Sequence, residues 1–341
     1  MATSQKQLAS TADLADDDTF RIMLATDIHL GHQIDHPIRH MDTFVTFDEI
    51  LSLTKSHNSD FLLLGGDLYD RNEPGPKAHA ETCRILEKYV FGLKKPQFEL
   101  ISPPDVAFGS LAACIDDIDR PNWLLDWVNI ELPVLSVHGN HDNPNGRFSS
   151  SPIDLLATLG LLSHFGRVRD ANKVAVYPVT LKKGKTVINI YGIGSVKDER
   201  LNALILEDRV RFVAPAEVNQ SFNILVLHQN RSKRGPSEQS YFHEKHIPKF
   251  IDFVLWGHEH DNRVALEYSA IADCFITQPG STVPTSLTEG ESLRKSIGQL
   301  IVNQNRFTFV EVPLETTRVV MFSSLSLHEI GELVYLKSCT V

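Results

Sequence analysis

Five short polar blocks in this chain carry the residue types that hold divalent metal ions. They are Asp27-Ile28-His29, Gly65-Gly66-Asp67, Gly139-Asn140-His141-Asp142, His228, and Gly257-His258-Glu259-His260. Their donors are imidazole, carboxylate and amide oxygen with no thiolate, a set suited to manganese, iron or zinc and unsuited to copper(I) or a structural zinc site. Two carboxylates against two divalent ions leave such a centre net positive. A centre of that kind attracts a phosphate, holds its oxygens and generates hydroxide at neutral pH. An aspartate shared between the ions would set the short separation that an in-line displacement requires. Singly, each block is weak. An isolated Asp-x-His is mostly a solvated turn, and His258 and His260 say only that two imidazoles project to one side of an extended segment. The conjunction of all five, each directly after an apolar run, is what points to metal chemistry.

Those apolar runs are the elements that must position the donors. Residues 21–26, 61–64, 134–137, 187–191, 222–227 and 253–256 read as buried strands. Residues 42–55 place Phe44, Phe47, Ile50 and Leu51 on one helical face, and 81–93 do the same with Ile85, Leu86, Tyr89 and Val90 before Pro96. Ser151-Pro152 supplies a cap and a first-turn proline for a third helix. Alternating strands and helices predict an α/β chain with helices against a central sheet. Ligands in open α/β sheets collect beyond the carboxyl ends of the strands, so five strand ends can present these side chains to one crevice. The glycines let the backbone turn sharply there.

The 341 residues, 42% hydrophobic, suffice for one large domain or a domain with a smaller satellite. A net charge of −10 by itself argues against a nucleic-acid binder, although bound cations would supply positive charge at the point of contact. Cys83, Cys114, Cys274 and Cys339 lack paired spacing, which predicts neither disulfides nor a thiolate zinc site and favours a reducing, intracellular setting. No secretory signal and no run near the ~20 apolar residues of a membrane span is visible. Residues 1–19 read as a disordered lead-in. Residues 96–131, with Asp116, Asp117, Asp119, Trp123 and Trp127, break the rhythm. They read as a surface excursion with its own small core or as a partner-binding insertion. The two tryptophans are expected to pack. Arg231, Lys233 and Arg234 follow His228 and would either grip a DNA backbone or form a solvated basic loop. Residues 182–185 read as a hairpin turn, and His32, His36 and His40, interrupted by Pro37, as a polar loop.

With these residues in hand, the pattern resembles the calcineurin-like metallophosphoesterase superfamily. Longer stretches resemble the meiotic-recombination-eleven family of double-strand-break repair nucleases, with SbcD-type bacterial relatives. The matching segments are ATDIHLG (25–31), DTFVTFDEIL (42–51), LLGGDL (63–68), HGNHD (138–142), HFGR (164–167), YGIGS (191–195), DERL (198–201), LHQNRSKRG (227–235), WGHEH (256–260) and QPGSTVPTSL (278–287). The resemblance covers roughly residues 20–315. It implies a metallophosphoesterase fold, with central β-sheets packed as a sandwich, flanking helices and the active site at the strand carboxyl ends. It implies two manganese ions per chain. Asp27, His29, Asp67 and His260 would hold one, and Asp67, Asn140, His228 and His258 the other, with Asp67 bridging. His141 would protonate the leaving oxygen or steady the pentavalent phosphorus. The family acts as an endonuclease and 3′-to-5′ exonuclease on DNA, usually as a homodimer. Its partners are an ABC-type ATPase and, in eukaryotes, a nibrin-type subunit, which would bind at the 96–131 insertion. Placement in the nucleus follows from the resemblance alone, since the basic RSKR run lies inside the expected domain.

Two departures qualify this. Family members usually read GGDLFH, with a histidine that positions the substrate phosphate for exonuclease work. Here the run is GGDLYDRN, with Asp70 in that place. This puts exonuclease activity in doubt and resembles the GDxxDR motif of phosphoprotein phosphatases, whose second aspartate pairs with the histidine of the GNH block. A carboxylate beside His141 would favour its protonated form, as suits a general acid. Residues 316–341 match nothing in the family, so they read as a divergent tail with the capping domain and ATPase-docking segment largely absent. The competing readings are a phosphomonoesterase acting on protein or small molecules and a non-catalytic DNA- or partner-binding module.

Overall fold

The computed structural model describes residues 6–10, 17–109, 120–145, 150–168, 170, 172–233, 237–321 and 323. Two seven-stranded mixed sheets form its centre. The first runs β1 (Gln7–Leu8), β16 (Arg306–Pro313), β15 (Ser296–Asn303), β2 (Phe20–Ala25), β3 (Phe61–Leu64), β5 (Val134–Ser136), β6 (Ser163–His164). The second runs β13 (Arg263–Ser269), β14 (Cys274–Gln278), β12 (Phe253–Gly257), β11 (Phe222–His228), β9 (Thr186–Ile193), β8 (Pro178–Lys183), β4 (Glu99–Leu100). A short parallel pair, β7 (Val174–Val176) and β10 (Val210–Phe212), stands apart.

Near-continuous apolar strands arise because both faces of each sheet are covered. Along β2, Phe20, Ile22 and Leu24 enter the core between the sheets, while Met23 and Ala25 face helices α1 (Asp42–Ser56) and α2 (Pro76–Val90). Along β12, Phe253 and Leu255 point inward, while Val254 and Trp256 meet helix α5 (Asp198–Leu206) and the Phe242–Ile251 region. Period-2 side-chain alternation therefore fills three apolar layers from one set of strands. The short helix α3 (Pro104–Phe108) adds Ala107 and Phe108 to the core between the sheets, and α4 (Pro152–Thr158) starts at a Ser151 capping box.

Within the sheets, β2, β3, β5 and β6 run parallel, as do β9, β11, β12 and β14. Their carboxyl ends thus fall along one edge of each sheet.

Several expectations change. Part of the lead-in is anchored: Gln7–Leu8 pairs with β16, and Lys6 donates to the Ser221 carbonyl and to Asn305. Helix α2 begins at Pro76, five residues before the expected start, because the proline supplies a ready first turn. Among its described residues, the 96–131 excursion forms no separate core. Its first part joins the second sheet as β4, and Trp123 packs edge-on against Phe98 and Phe108 at 5.6 and 6.0 Å. Trp127 is 66% exposed, against the expectation that it packs. Asp116, Asp117 and Asp119 lie outside the described residues, as do Cys114, Cys339, Arg234 and 324–341. Cys83 and Cys274 are free thiols. The 182–185 turn joins β8 to β9 as expected. No helix among the described residues is long and apolar enough to cross a membrane.

Candidate metal centre

All five polar blocks meet where the carboxyl ends of the two sheets face each other. Asp27 and His29 follow β2, Asp67 follows β3, Asn140 and His141 follow β5, His228 ends β11, and His258 and His260 follow β12. Asp27, His29, Asp67 and His228 form a buried floor; Asn140, His141, His258 and His260 form an accessible rim.

The backbone is bent to achieve this. Asp27, His29, Asp67 and His258 have φ of 51, 52, 49 and 80°, conformations that L side chains rarely adopt. Such strain costs of order 1–3 kcal/mol per residue and persists where surrounding structure over-determines it. Two glycines make the approach possible. A Cβ at Gly139 would lie 2.0 Å from Asp67 Oδ1, and one at Gly257 would lie 2.4 Å from the Gly65 carbonyl of the other sheet.

The donor atoms converge on two positions that share Asp67, and His29, Asp70 and His141 bring a third set within the same 4.8 Å spacing. Asp27, His29, Asp67 and His260 each place a ligand atom within 4.8 Å of the others', and so do Asp67, His228 and His258. Asn140 Oδ1 joins the second group, 2.7 Å from His258 Nδ1 and 3.2 Å from His228 Nε2. Asp67 belongs to both.

Hydrogen-bond accounting shows that a cation fits here. His228 Nδ1–H donates to the Gly65 carbonyl at 2.8 Å, so its Nε2 lone pair faces Asp67 Oδ2 at 3.2 Å. His258 Nε2–H donates to Asn230 Oδ1 at 3.0 Å, which turns its Nδ1 lone pair onto the Asn140 oxygen. His260 Nδ1–H donates to Thr285 Oγ1 at 2.7 Å, leaving its Nε2 lone pair 3.1 Å from His29 Nε2. Asp67 Oδ2 is buried without a hydrogen-bond partner. Lone pairs aimed at lone pairs are repulsive unless positive charge lies between them.

In the metal-free chain, a proton takes that place between His228 and Asp67. Burial would raise the Asp67 carboxyl, but the imidazoles of His228, His29 and His141 outweigh it and hold it below the usual range. Burial would lower His228, yet the Asp67 carboxylate drives it up. Burial and then the His228 charge push His258 down to about 4, so it stays neutral.

Asp70 departs from expectation. Its carboxylate does not pair with His141; Oδ1 lies 3.0 Å from His32 Nδ1 and 3.4 Å from His29 Nδ1. The Asp70 backbone carbonyl instead accepts from His141 Nδ1 at 2.7 Å, because the chain passes His141 backbone-first. The DNA contact expected of Arg231 finds its guanidinium committed elsewhere. It donates to Glu267 at 2.7 Å and to Gln278, and lies over the Trp256 ring. Lys233 is more exposed and pairs with Glu238.

Several residues the sequence reading assigned no role lie behind the donors. Glu291 is buried and gathers Thr285 N and Oγ1 together with Ser286 N and Oγ, so it fixes the hydroxyl that meets His260. Asp198 accepts from Asn230 Nδ2 at 2.7 Å and from Gln229 Nε2 at 2.9 Å, which orients the amide facing His258. Asn230 and Asp198 sit in the LHQNRSKRG and DERL stretches, whose retention was the only available signal.

Residues 20–262 match the calcineurin-like phosphoesterase family. Over 311 residues the chain is 41% identical to the double-strand break repair protein MRE11 of Homo sapiens, covering 91% of this chain and 43% of that protein. The same figures hold for MRE11 of Macaca fascicularis. MRE11 of Coprinopsis cinerea is 40% identical over 329 residues, covering 93% of this chain and 44% of that protein. The chain thus spans under half the length of these curated relatives.

Proposed function

The chain belongs to the calcineurin-like phosphoesterase family, and from that premise we propose that it is a manganese-dependent nuclease hydrolysing DNA phosphodiesters in double-strand-break repair. The observation that carries this reading is the convergence of imidazole, carboxylate and amide donors from both sheets onto two adjacent positions that share Asp67. The likeness to MRE11 proteins along nine-tenths of the chain points to DNA as the substrate.

In this reading Asp27, His29, Asp67 and His260 hold one divalent ion, and Asp67, Asn140, His228 and His258 hold the other. The ions, when bound, polarise phosphoryl oxygens and lower the pKa of water. The protein's own part is positioning and proton handling. His141 is fixed at two points, its backbone N–H donating to Asp67 Oδ1 at 2.8 Å and its Nδ1 to the Asp70 carbonyl. That leaves Nε2 as the nitrogen to carry a proton to the leaving oxygen. Positive charge at the ions offsets the net −10 of the chain where a DNA backbone would approach. Lys233, exposed and paired with Glu238, is the remaining basic residue among the described residues of this loop for a DNA backbone contact. Homodimerisation, an ABC-type ATPase partner, a nibrin-type subunit at 96–131 and nuclear placement follow from the same likeness. The phosphomonoesterase alternative loses its motive, because the Asp70 carboxylate turns to His29 and His32 and not to His141.

Cleavage of a closed single-stranded DNA circle and of a 3′-labelled duplex, with manganese, tests the proposal. Wild type is expected to cut the circle and His141→Asn to lose that activity by roughly 100-fold or more, the usual scale of a lost general acid. A folded, metal-loaded wild type that cuts neither substrate would overturn it.

A further inference from the structure

Each imidazole facing the two cation positions has a second nitrogen, and what that nitrogen meets differs around the centre. His228 meets a backbone carbonyl and His258 an amide oxygen. His260 meets the Thr285 hydroxyl, with Glu291 behind it at 3.7 Å. His29 is the one of the four whose second nitrogen faces a carboxylate with nothing between: Asp70 Oδ1, at 3.4 Å from Nδ1. This nitrogen is buried and has no closed hydrogen bond to any other group. On its far side the same carboxylate oxygen is held by His32 Nδ1 at 3.0 Å.

We propose that Asp70 is a positioning residue for metal binding: its carboxylate accepts a hydrogen bond from Nδ1–H of His29 and so fixes the imidazole with its Nε2 lone pair toward the cation. His32 donates to that oxygen from the other side and keeps Asp70 in place. A carboxylate behind a metal-binding histidine selects the tautomer, sets the ring angle and raises the basicity of the ligating nitrogen. The position held by Asp27, His29, Asp67 and His260 is therefore backed by carboxylates, Asp70 and, through Thr285, Glu291. The position holding His228 and His258 has no carboxylate directly behind either ring; His228 meets a backbone carbonyl, and Asp198 stands behind His258 only through Asn230. The first binds its ion more tightly. The Asp70 carboxylate in this chain thus acts through His29, while only the Asp70 backbone carbonyl meets His141.

This inference rests on the two-cation reading of the site, and the test separates the two. Manganese alone is titrated into the full chain and the free ion followed by its paramagnetic resonance signal, for wild type, Asp70→Asn, Asp70→Ala, Asp70→Glu and Asp67→Asn. Melting of each metal-free protein is measured alongside. Wild type is expected to bind two ions with unequal affinities. Asp70→Ala is expected to weaken the tighter one by roughly 10- to 100-fold, Asp70→Asn by less, and Asp70→Glu is expected to recover part of the loss, all with metal-free melting unchanged. Wild-type binding by Asp70→Ala, while Asp67→Asn loses an ion, would overturn the role of Asp70 alone. Unchanged binding by Asp67→Asn would overturn the two-cation reading itself. A fall in metal-free melting that accounts for the lost affinity would make Asp70 a structural residue and also overturn the proposal.

Discussion

Two buried clusters of histidine and aspartate share the 138–142 loop, and they are built on opposite principles. One is the metal centre. The other lies behind it and joins His138, His164, Asp154 and Arg167. There His138 Nδ1 lies 3.2 Å from His164 Nε2, His164 Nδ1 lies 2.7 Å from Asp154 Oδ1, and Arg167 Nε donates to the same carboxylate at 3.1 Å. Ser151 N caps the second oxygen at 2.8 Å, and Arg167 Nη1 donates to the Phe108 carbonyl. No buried side-chain nitrogen or oxygen of these four residues is left unpaired. In the metal centre, by contrast, Asp67 Oδ2 is orphaned and lone pairs face lone pairs. The floor of the metal centre is as buried as the closed cluster, and both are built on histidine and aspartate, so burial of these residue types does not tell them apart. Hydrogen-bond closure does. A closed network stabilises the fold, whereas an open one needs something added.

The sharpest way to break this comparison is to remove the centre of the closed cluster. Asp154→Ala leaves Arg167 buried without its carboxylate and is expected to cost about 3–5 kcal/mol of stability, read by denaturant unfolding in the presence of a chelator. A loss seen only when metal is present would show that the two clusters are one unit. The next effect belongs to the open cluster. Manganese at 100 times its dissociation constant should stabilise wild type by about 2.7 kcal/mol and Asp67→Asn by much less. Equal stabilisation of the two proteins would mean that the ion binds elsewhere.

The smallest effect sharpens the contrast through pH. Burial works against ionisation of Asp154, but His164 and Arg167 hold its carboxyl below the ordinary 3.8. Burial, followed by the Arg167 charge, pushes His164 down to about 4, so at neutral pH it is an uncharged donor and Arg167 carries the charge. A carboxyl depressed in the folded state contributes stability above its unfolded value and loses that contribution as pH falls below it. Metal-free wild type should therefore lose stability below pH ~4 more steeply than Asp154→Asn. Identical acid-side slopes would remove Asp154 from the account.

Much of the centre was legible in the sequence because parallel strands deliver their carboxyl ends to one edge. An apolar run followed by Asp-x-His, Gly-Gly-Asp or Gly-Asn-His thus names both a residue and its destination. The central strands were equally legible, since strands covered on both faces read as unbroken apolar runs. Strands β13, β14 and β15 were not identified. In β13, exposed and buried residues alternate irregularly across a break in register, a pattern without a clear period. Thr285, Glu291, Asn230 and Asp198 had no assigned role because each acts on a histidine through contacts that close only between distant segments.

The sequence by itself determined which atoms could bind a cation, in what order they arise along the chain, and that strand carboxyl ends would bring them together. Its apolar runs read as one central sheet, and only the family resemblance implied the pair of sheets that is found. The sequence could not determine where Asp70 points. The residue is the same whether its carboxylate or its carbonyl meets His141, and that choice is set by how residues 67–71 leave β3 past the rim. Nor could it say that Arg231 folds back onto Glu267 and Trp256 and away from a ligand. Residue type fixes what a side chain can do; direction depends on backbone path and on which neighbours have already satisfied the competing hydrogen bonds. Only the tertiary structure holds that information.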